Sequence, residues 1–207
     1  MQAALLTAGR SPLVIGVDPS LTCTGIAGDG WADALRPKKL RGHPRLQWLR
    51  DEVRERTRAA DLVLIEGAAY GRGGQAGHHE LAGLWWHLTQ DWWERGIPYV
   101  VVNPHSRTIY ATGSANPAKD HPRAKRARIA KGMVRDAVAQ RYGIECEGPG
   151  RYDQADAFIL AAMGLHWAGW PLAEVPETHS RALEAVPWPE PEPGQQASDL
   201  RRREKNG

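Results

Sequence analysis

The sequence predicts an α/β fold, a mixed sheet flanked by helices, and three observations predict it. Short apolar runs rich in Val, Ile and Leu recur at 13–18, 61–66 and 98–103, with the length and composition of buried strands. Segments of helical periodicity lie between and after them, at 44–60, 79–95, 123–142 and 151–168. Helices of this length between strands make crossover connections, so part of the sheet is expected to be parallel.

Taken in order, residues 13–18 (LVIGVD) form a strand that ends on Asp18 and breaks at Pro19. Residues 22–28 (TCTGIAG) read as its hairpin partner after the turn at Pro19-Ser20, and a third short strand is expected near Trp31–Leu35, giving an antiparallel edge. Residues 44–60 place Leu46, Leu49, Val53 and Thr57 on one helical stripe among arginines. The second apolar strand, 61–66 (DLVLIE), also ends in a carboxylate, Glu66. The next segment, GAAYGRGGQAG at 67–77, has five glycines in eleven residues and reads as a loop.

Residues 79–95 place Leu81, Leu84, Trp85, Leu88 and Trp92 on one helical stripe, with Trp86 and Trp93 on a neighbouring one. Two apolar stripes exceed what one core needs, so this helix is expected to pack on the sheet and to contribute to a homodimer contact. Residues 98–103 are the third apolar strand, and 104–122 reads as an irregular polar connection. Residues 123–142 form a long basic helix with Ile129, Ala130, Met133, Val134, Ala137 and Val138 on its apolar face. The final helix is 151–168. The expected domain plan is a flexible N-terminus at 1–12, one α/β domain at 13–170 and a Pro-rich, basic-ended tail at 171–207. That tail has six prolines between 171 and 194 and is expected to have little regular structure.

The 207 residues are 42% hydrophobic and 25% charged, enough apolar content for a sizeable core. Net charge is only +3, yet residues 36–58 carry nine Lys/Arg against three acids and 104–143 carry nine against two. Such segregation points to a polyanionic partner or, equally, to two solvated helix faces. The two cysteines lack metal-type spacing, and no secretory signal or membrane-length apolar run is evident, so a reducing, cytoplasmic location without a membrane partner is expected.

The chemistry lies in four acids. If 13–18 and 61–66 are parallel neighbours, Asp18 and Glu66 stand side by side at the sheet edge where α/β folds build sites. Asp153 and Asp156 are three apart on the final helix, on a face continued by the core-like Ala157, Leu160 and Gly164. Singly, Asp18 reads as a turn cap before Pro19 and Asp153 as a helix N-cap. As a set, the acids would repel one another unless a cation relieved them. Mg²⁺ binds carboxylate oxygens and keeps waters and room for a phosphate; two such ions bracketing a phosphate activate water and stabilise the leaving oxygen.

On the motifs VIGVDPSLTCTG, LVLIEGAAY, VNPHSRTIYATGSANPAKDHPRAKRARI and RYDQADAFILA, from Val14 to Gly169, the chain resembles the RuvC family of Holliday junction resolvases. The resemblance implies an RNase H-like (retroviral-integrase-like) fold, with Asp18, Glu66, Asp153 and Asp156 as catalytic metal ligands. It also implies two Mg²⁺ ions per site, replaceable by Mn²⁺, and a homodimer that nicks four-way DNA junctions symmetrically to leave 5′-phosphate and 3′-hydroxyl ends. Ser20 stands where the bacterial family typically has glycine, and DPSLTxTG is more similar to phage-borne, divergent members, which puts strict junction specificity in question and suggests a bacterial or phage-infected cell.

The same resemblance makes Arg107, Lys119 and Lys125 candidates for backbone contact, flanked by Arg123, Arg126 and Arg128. Among these Lys125 best matches the family's active-site lysine. Tyr70, the one aromatic of 67–77, is a candidate junction wedge, with Arg72 beside it as a DNA contact; an incidental loop tyrosine is about as well supported. His78, His79 and His105 read as surface histidines. Three rival functions remain: an actin-like phosphate-binding kinase domain, for which the chain is short and lacks a second phosphate hairpin; a non-catalytic branched-DNA binder, which four acids oppose; and an RNase H-like enzyme cutting RNA, hybrids or flaps.

Overall fold

The computed structural model describes residues 10–67 and 77–189. The elements are β1 (Val14–Asp18), β2 (Thr24–Gly28), β3 (Trp31–Leu35), α1 (Gly42–Arg56), β4 (Leu62–Glu66), α2 (His78–Glu94), β5 (Tyr99–Val102), α3 (Pro104–Thr112), α4 (Arg123–Tyr142), α5 (Arg151–Trp167) and α6 (Glu177–Ser180), which continues into a 3-10 turn at Arg181–Ala185. The strands form one mixed sheet in the order β3-β2-β1-β4-β5. β1, β4 and β5 run parallel, as the crossover helices require, and β2 and β3 add the antiparallel edge.

Alternation along the strands divides the core into two layers. Ile15, Val17, Val63 and Ile65 face α1 and α2, where they meet Leu49, Val53, Leu84, Leu88 and Trp92. Val14, Leu62, Leu64, Val100 and Val102 face the other way, onto Phe158, Ile159 and Leu160 of α5 and Val134 and Val138 of α4. Arg54 pairs with Asp91 at 3.0 Å and Arg45 pairs with Glu80, tying α1 to α2. Trp92 Nε1 donates to Thr57 Oγ1 at 2.9 Å, so the one polar atom of a buried indole is satisfied. No helix among the described residues is long and apolar enough to cross a membrane.

Two segments differ from expectation. The connection after β5 opens with a helix, α3, rather than an irregular run: Asn103 caps it by accepting from the His105 amide at 2.8 Å, and Pro104 takes the first helical position, where no amide hydrogen is needed. Beyond residue 170, the chain packs back onto the core instead of trailing away. Ala182 and Val186 are buried, Trp188 stacks on Trp167 at 4.7 Å and 8°, and Arg141 donates to the Tyr110 and Ala111 carbonyls at 3.2 Å beneath His179. The prolines of this stretch separate apolar anchors rather than keep it unfolded. Residues 190–207 and 1–9 lie outside the described residues.

Candidate active site

Strand parity carries the first two acids to one place. Val14, Gly16 and Asp18 alternate onto the α5 face of β1, as Leu62, Leu64 and Glu66 do on β4. The parallel register pairs Val17 with Ile65, so Asp18 and Glu66 are the next neighbours at the C-terminal edge.

The other two acids arrive because α5 lies almost on the backbone of the sheet. A Cβ at Gly16 would stand 2.0 Å from the Ala157 carbonyl oxygen, and one at Gly25 would stand 1.9 Å from that of Asp153. Only glycine permits that approach, and it sets the first turns of α5 against the ends of β1 and β2. Asp156 is 2% exposed and Asp18 is 8% exposed. These four carboxylates are therefore the set that the sequence predicts, collected on one face.

Their electrostatics are those of crowded, buried anions. Burial first, then the Glu66 and Asp156 carboxylates, raises the Asp18 carboxyl well above its ordinary value. Burial also raises Glu66, against the opposing pull of Arg107, and raises Asp153 against that of Lys131. The Cys23 thiol is pushed up to about 11 by burial and by the Asp153 carboxylate, so it remains protonated.

Two cations meet the acids. Arg107, from α3, is 7% exposed. Its Nε lies 3.1 Å from Glu66 Oε2 and its Nη1 makes a close ion pair with Asp156. Burial works against its charge, but Asp156, Glu66 and Asp18 raise its pKa above the ordinary guanidinium value. Arg107 Nε, Arg107 Nη1 and Glu66 Oε2 are buried without a well-aligned hydrogen bond, and the two ion pairs are their contacts. The second cation is Lys131 of α4, half exposed, with its Nζ 4.0 Å from Asp153 Oδ1 and from Asp156 Oδ2.

The remaining basic residues divide by place. Lys119, Arg123, Lys125 and Arg128 are exposed at and before the start of α4, and Arg126 is half-buried with its Nε on the His121 carbonyl at 2.7 Å. Arg107, grouped with them on the sequence, is turned inward among the acids. Lys125 lies in the first turn of α4, whereas the lysine that reaches the acids is Lys131, six residues further on. Periodicity alone places Lys131 on the helix without saying that this turn faces α5. Tyr70 and Arg72 lie outside the described residues. His78, His79 and His105 are not part of the acid cluster.

The donor set suits a hard divalent cation: four carboxylates outnumber two cations, and one carboxylate oxygen, Glu66 Oε2, is buried without a hydrogen bond. Among the described residues, however, no three His, Cys, Asp or Glu side chains form a ready-made metal cage. The Arg107 guanidinium stands between Glu66 and Asp156 instead.

No family model matches the chain, and no curated protein matches it. Among solved structures the chain is similar to Thermus thermophilus RuvC, with 18% identity and a TM-score of 0.53 over 79% of this chain and 99% of that one. T. thermophilus RuvC in complex with Holliday junction substrate aligns at 20% identity and a TM-score of 0.49, over 80% of this chain and 99% of that one. The chain has the RuvC-like form of the RNase H-like α/β fold, as its motifs predict.

Proposed function

We propose that this protein is a divalent-metal-dependent endonuclease that resolves four-way DNA junctions by paired symmetrical nicks. The observation that carries the reading is the convergence of Asp18, Glu66, Asp153 and Asp156 on one face at the C-terminal edge of parallel strands, within a RuvC-like fold. These four side chains would hold Mg²⁺, or Mn²⁺ in its place. Bound there, two such ions would supply an activated water and stabilise the leaving 3′-oxygen, giving 5′-phosphate and 3′-hydroxyl ends.

The chain's own residues do the positioning. α5, locked onto the sheet by Gly16 and Gly25, fixes two carboxylates on a rigid element. Lys131 is half exposed beside those carboxylates and stands where a scissile phosphate would need a cation. Lys125 and Arg128 precede it at three-residue steps, so α4 offers basic side chains over about 9 Å of helix axis leading to the acids. Lys119, Arg123 and Arg126 extend that surface. The first turn of α4 has no acid and several bases, which the helix dipole disfavours and a DNA phosphate would relieve. Such contacts hold the backbone and do not read sequence. Trp86 and Trp93, 65% and 74% exposed on one face of α2, are the proposed homodimer contact, which supplies the second active site that a pair of nicks needs.

The test is cleavage of a labelled immobile four-way junction, a flap, a fork and plain duplex, each with Mg²⁺ or EDTA. Paired nicks at symmetrical positions of the junction, abolished by EDTA, are expected. Equal cutting of all branched forms would replace the proposal with a broader structure-selective nuclease. Cutting of RNA or hybrids alone would refute junction resolution.

A further inference from the structure

We infer that Arg107 is a built-in counter-cation of the acid centre, which divalent metal must displace before the site can act. The inference rests on the metal-dependent reading above and goes beyond it. Its basis is position. The guanidinium enters from α3, is nine-tenths buried, and contacts Glu66 through Nε and Asp156 through Nη1. Those are two of the acids that would hold the metal, and they come from different elements, β4 and α5.

A lysine or arginine that merely steadied one carboxylate could stay in place when a metal arrived. Arg107 cannot, because its planar head occupies the space between two ligands, and a hard cation binding both would take the same oxygens. Its Nε and Nη1 lack aligned hydrogen bonds. Its contacts with both carboxylates are ion pairs, an arrangement that a cation of higher charge can replace. Lys131 is different: at 4.0 Å from both aspartates and half exposed, it lies at the rim and can remain while the centre is exchanged. The consequence is competition. Without metal Arg107 offsets part of the repulsion among the acids; metal binding must release Arg107 from between Glu66 and Asp156.

Two measurements without DNA test this. In the first, Mn²⁺ binding is titrated by calorimetry for the wild type, Arg107→Gln and Arg107→Lys, with Asp156→Asn as the metal-site control. Arg107→Gln is expected to bind Mn²⁺ about fivefold or more tightly, and Arg107→Lys to stay near the wild type, because it keeps the competing charge. In the second, which needs no variant that could misfold, ¹⁵N-arginine spectra of the wild type follow the Arg107 Nε–H. It is expected to be protected from exchange in EDTA and to lose that protection at saturating Mg²⁺. Equal or weaker Mn²⁺ binding by a folded Arg107→Gln, or an Arg107 signal unmoved by bound Mg²⁺, would overturn the inference while leaving metal binding intact. Failure of the wild type to bind Mn²⁺ or Mg²⁺ at all would overturn both this inference and the metal-dependent reading.

Discussion

Gly16 lies directly beneath Ala157: a side chain on the first would start 2.0 Å from the carbonyl oxygen of the second. The contact is between backbones, so neither partner can yield by rotating a side chain. Gly16→Ala should therefore destabilise the protein by about 3 kcal/mol, the upper end of ordinary overpacking, measured by urea unfolding. Because the same displacement lifts Asp153 and Asp156 away from Asp18, nuclease activity should fall in the fraction that remains folded. A Gly16→Ala protein of wild-type stability would show that α5 is not seated this closely.

Stability should fall with rising pH in EDTA. A carboxyl whose pKa is raised in the folded state binds its proton more tightly there than in the unfolded chain. Its contribution is therefore present at low pH and is lost as pH climbs from the ordinary carboxylate value through the raised one. Asp18, Glu66 and Asp153 all shift in that direction. Thermal melting from pH 4 to pH 8 should give a downward slope that Asp18→Asn flattens and Mg²⁺ reverses. A slope identical in wild type and Asp18→Asn would mean that Asp18 is not held under this strain.

Lys131 and Lys125 should separate catalysis from binding. Lys131→Met removes the cation at the acids and should cut the cleavage rate about 100–1,000-fold with little change in junction affinity. Lys125→Met should weaken binding and reduce the slope of log affinity against log salt by about 0.9, one phosphate contact, as fluorescence anisotropy would read. If Lys125→Met instead lost cleavage at unchanged affinity, the catalytic lysine would be Lys125.

Trp86→Glu with Trp93→Glu should leave the fold intact, since both indoles are mostly in solvent, and should convert a dimer to a monomer in light scattering at micromolar concentration. Junction cleavage should then lose its pairing, with single nicks replacing simultaneous ones. A wild-type monomer would remove the basis for paired cutting.

The acids were legible because each sits at a place that sequence marks well: Asp18 and Glu66 close apolar runs, and Asp153 and Asp156 repeat at a helical step on a face that is otherwise apolar. The parallel portion of the sheet and its antiparallel edge followed from the same runs. What stayed hidden depended on one helix and on tertiary direction. Asn103 followed by Pro104 is an N-cap and first-turn pair that marks the start of α3, but the turn of Arg107 toward the acids is set by tertiary packing that no local signal carries. Nothing in the spacing of Lys131 distinguishes it from Arg128 or Arg135; only the packing of α4 on α5 does so. In 171–189 the prolines dominate composition, whereas Leu172, Val175, Ala182, Leu183, Val186 and Trp188 carry the packing.

The most direct measurement is strand cleavage of an immobile four-way junction by the wild type and Asp156→Asn, in Mn²⁺, with junction binding followed in parallel. The wild type should nick and the variant should bind equally well yet cut at least a hundredfold more slowly, beyond the loss seen when only a ligand's supporting partner is removed. Undiminished cutting by Asp156→Asn would contradict a catalytic centre built on these four carboxylates.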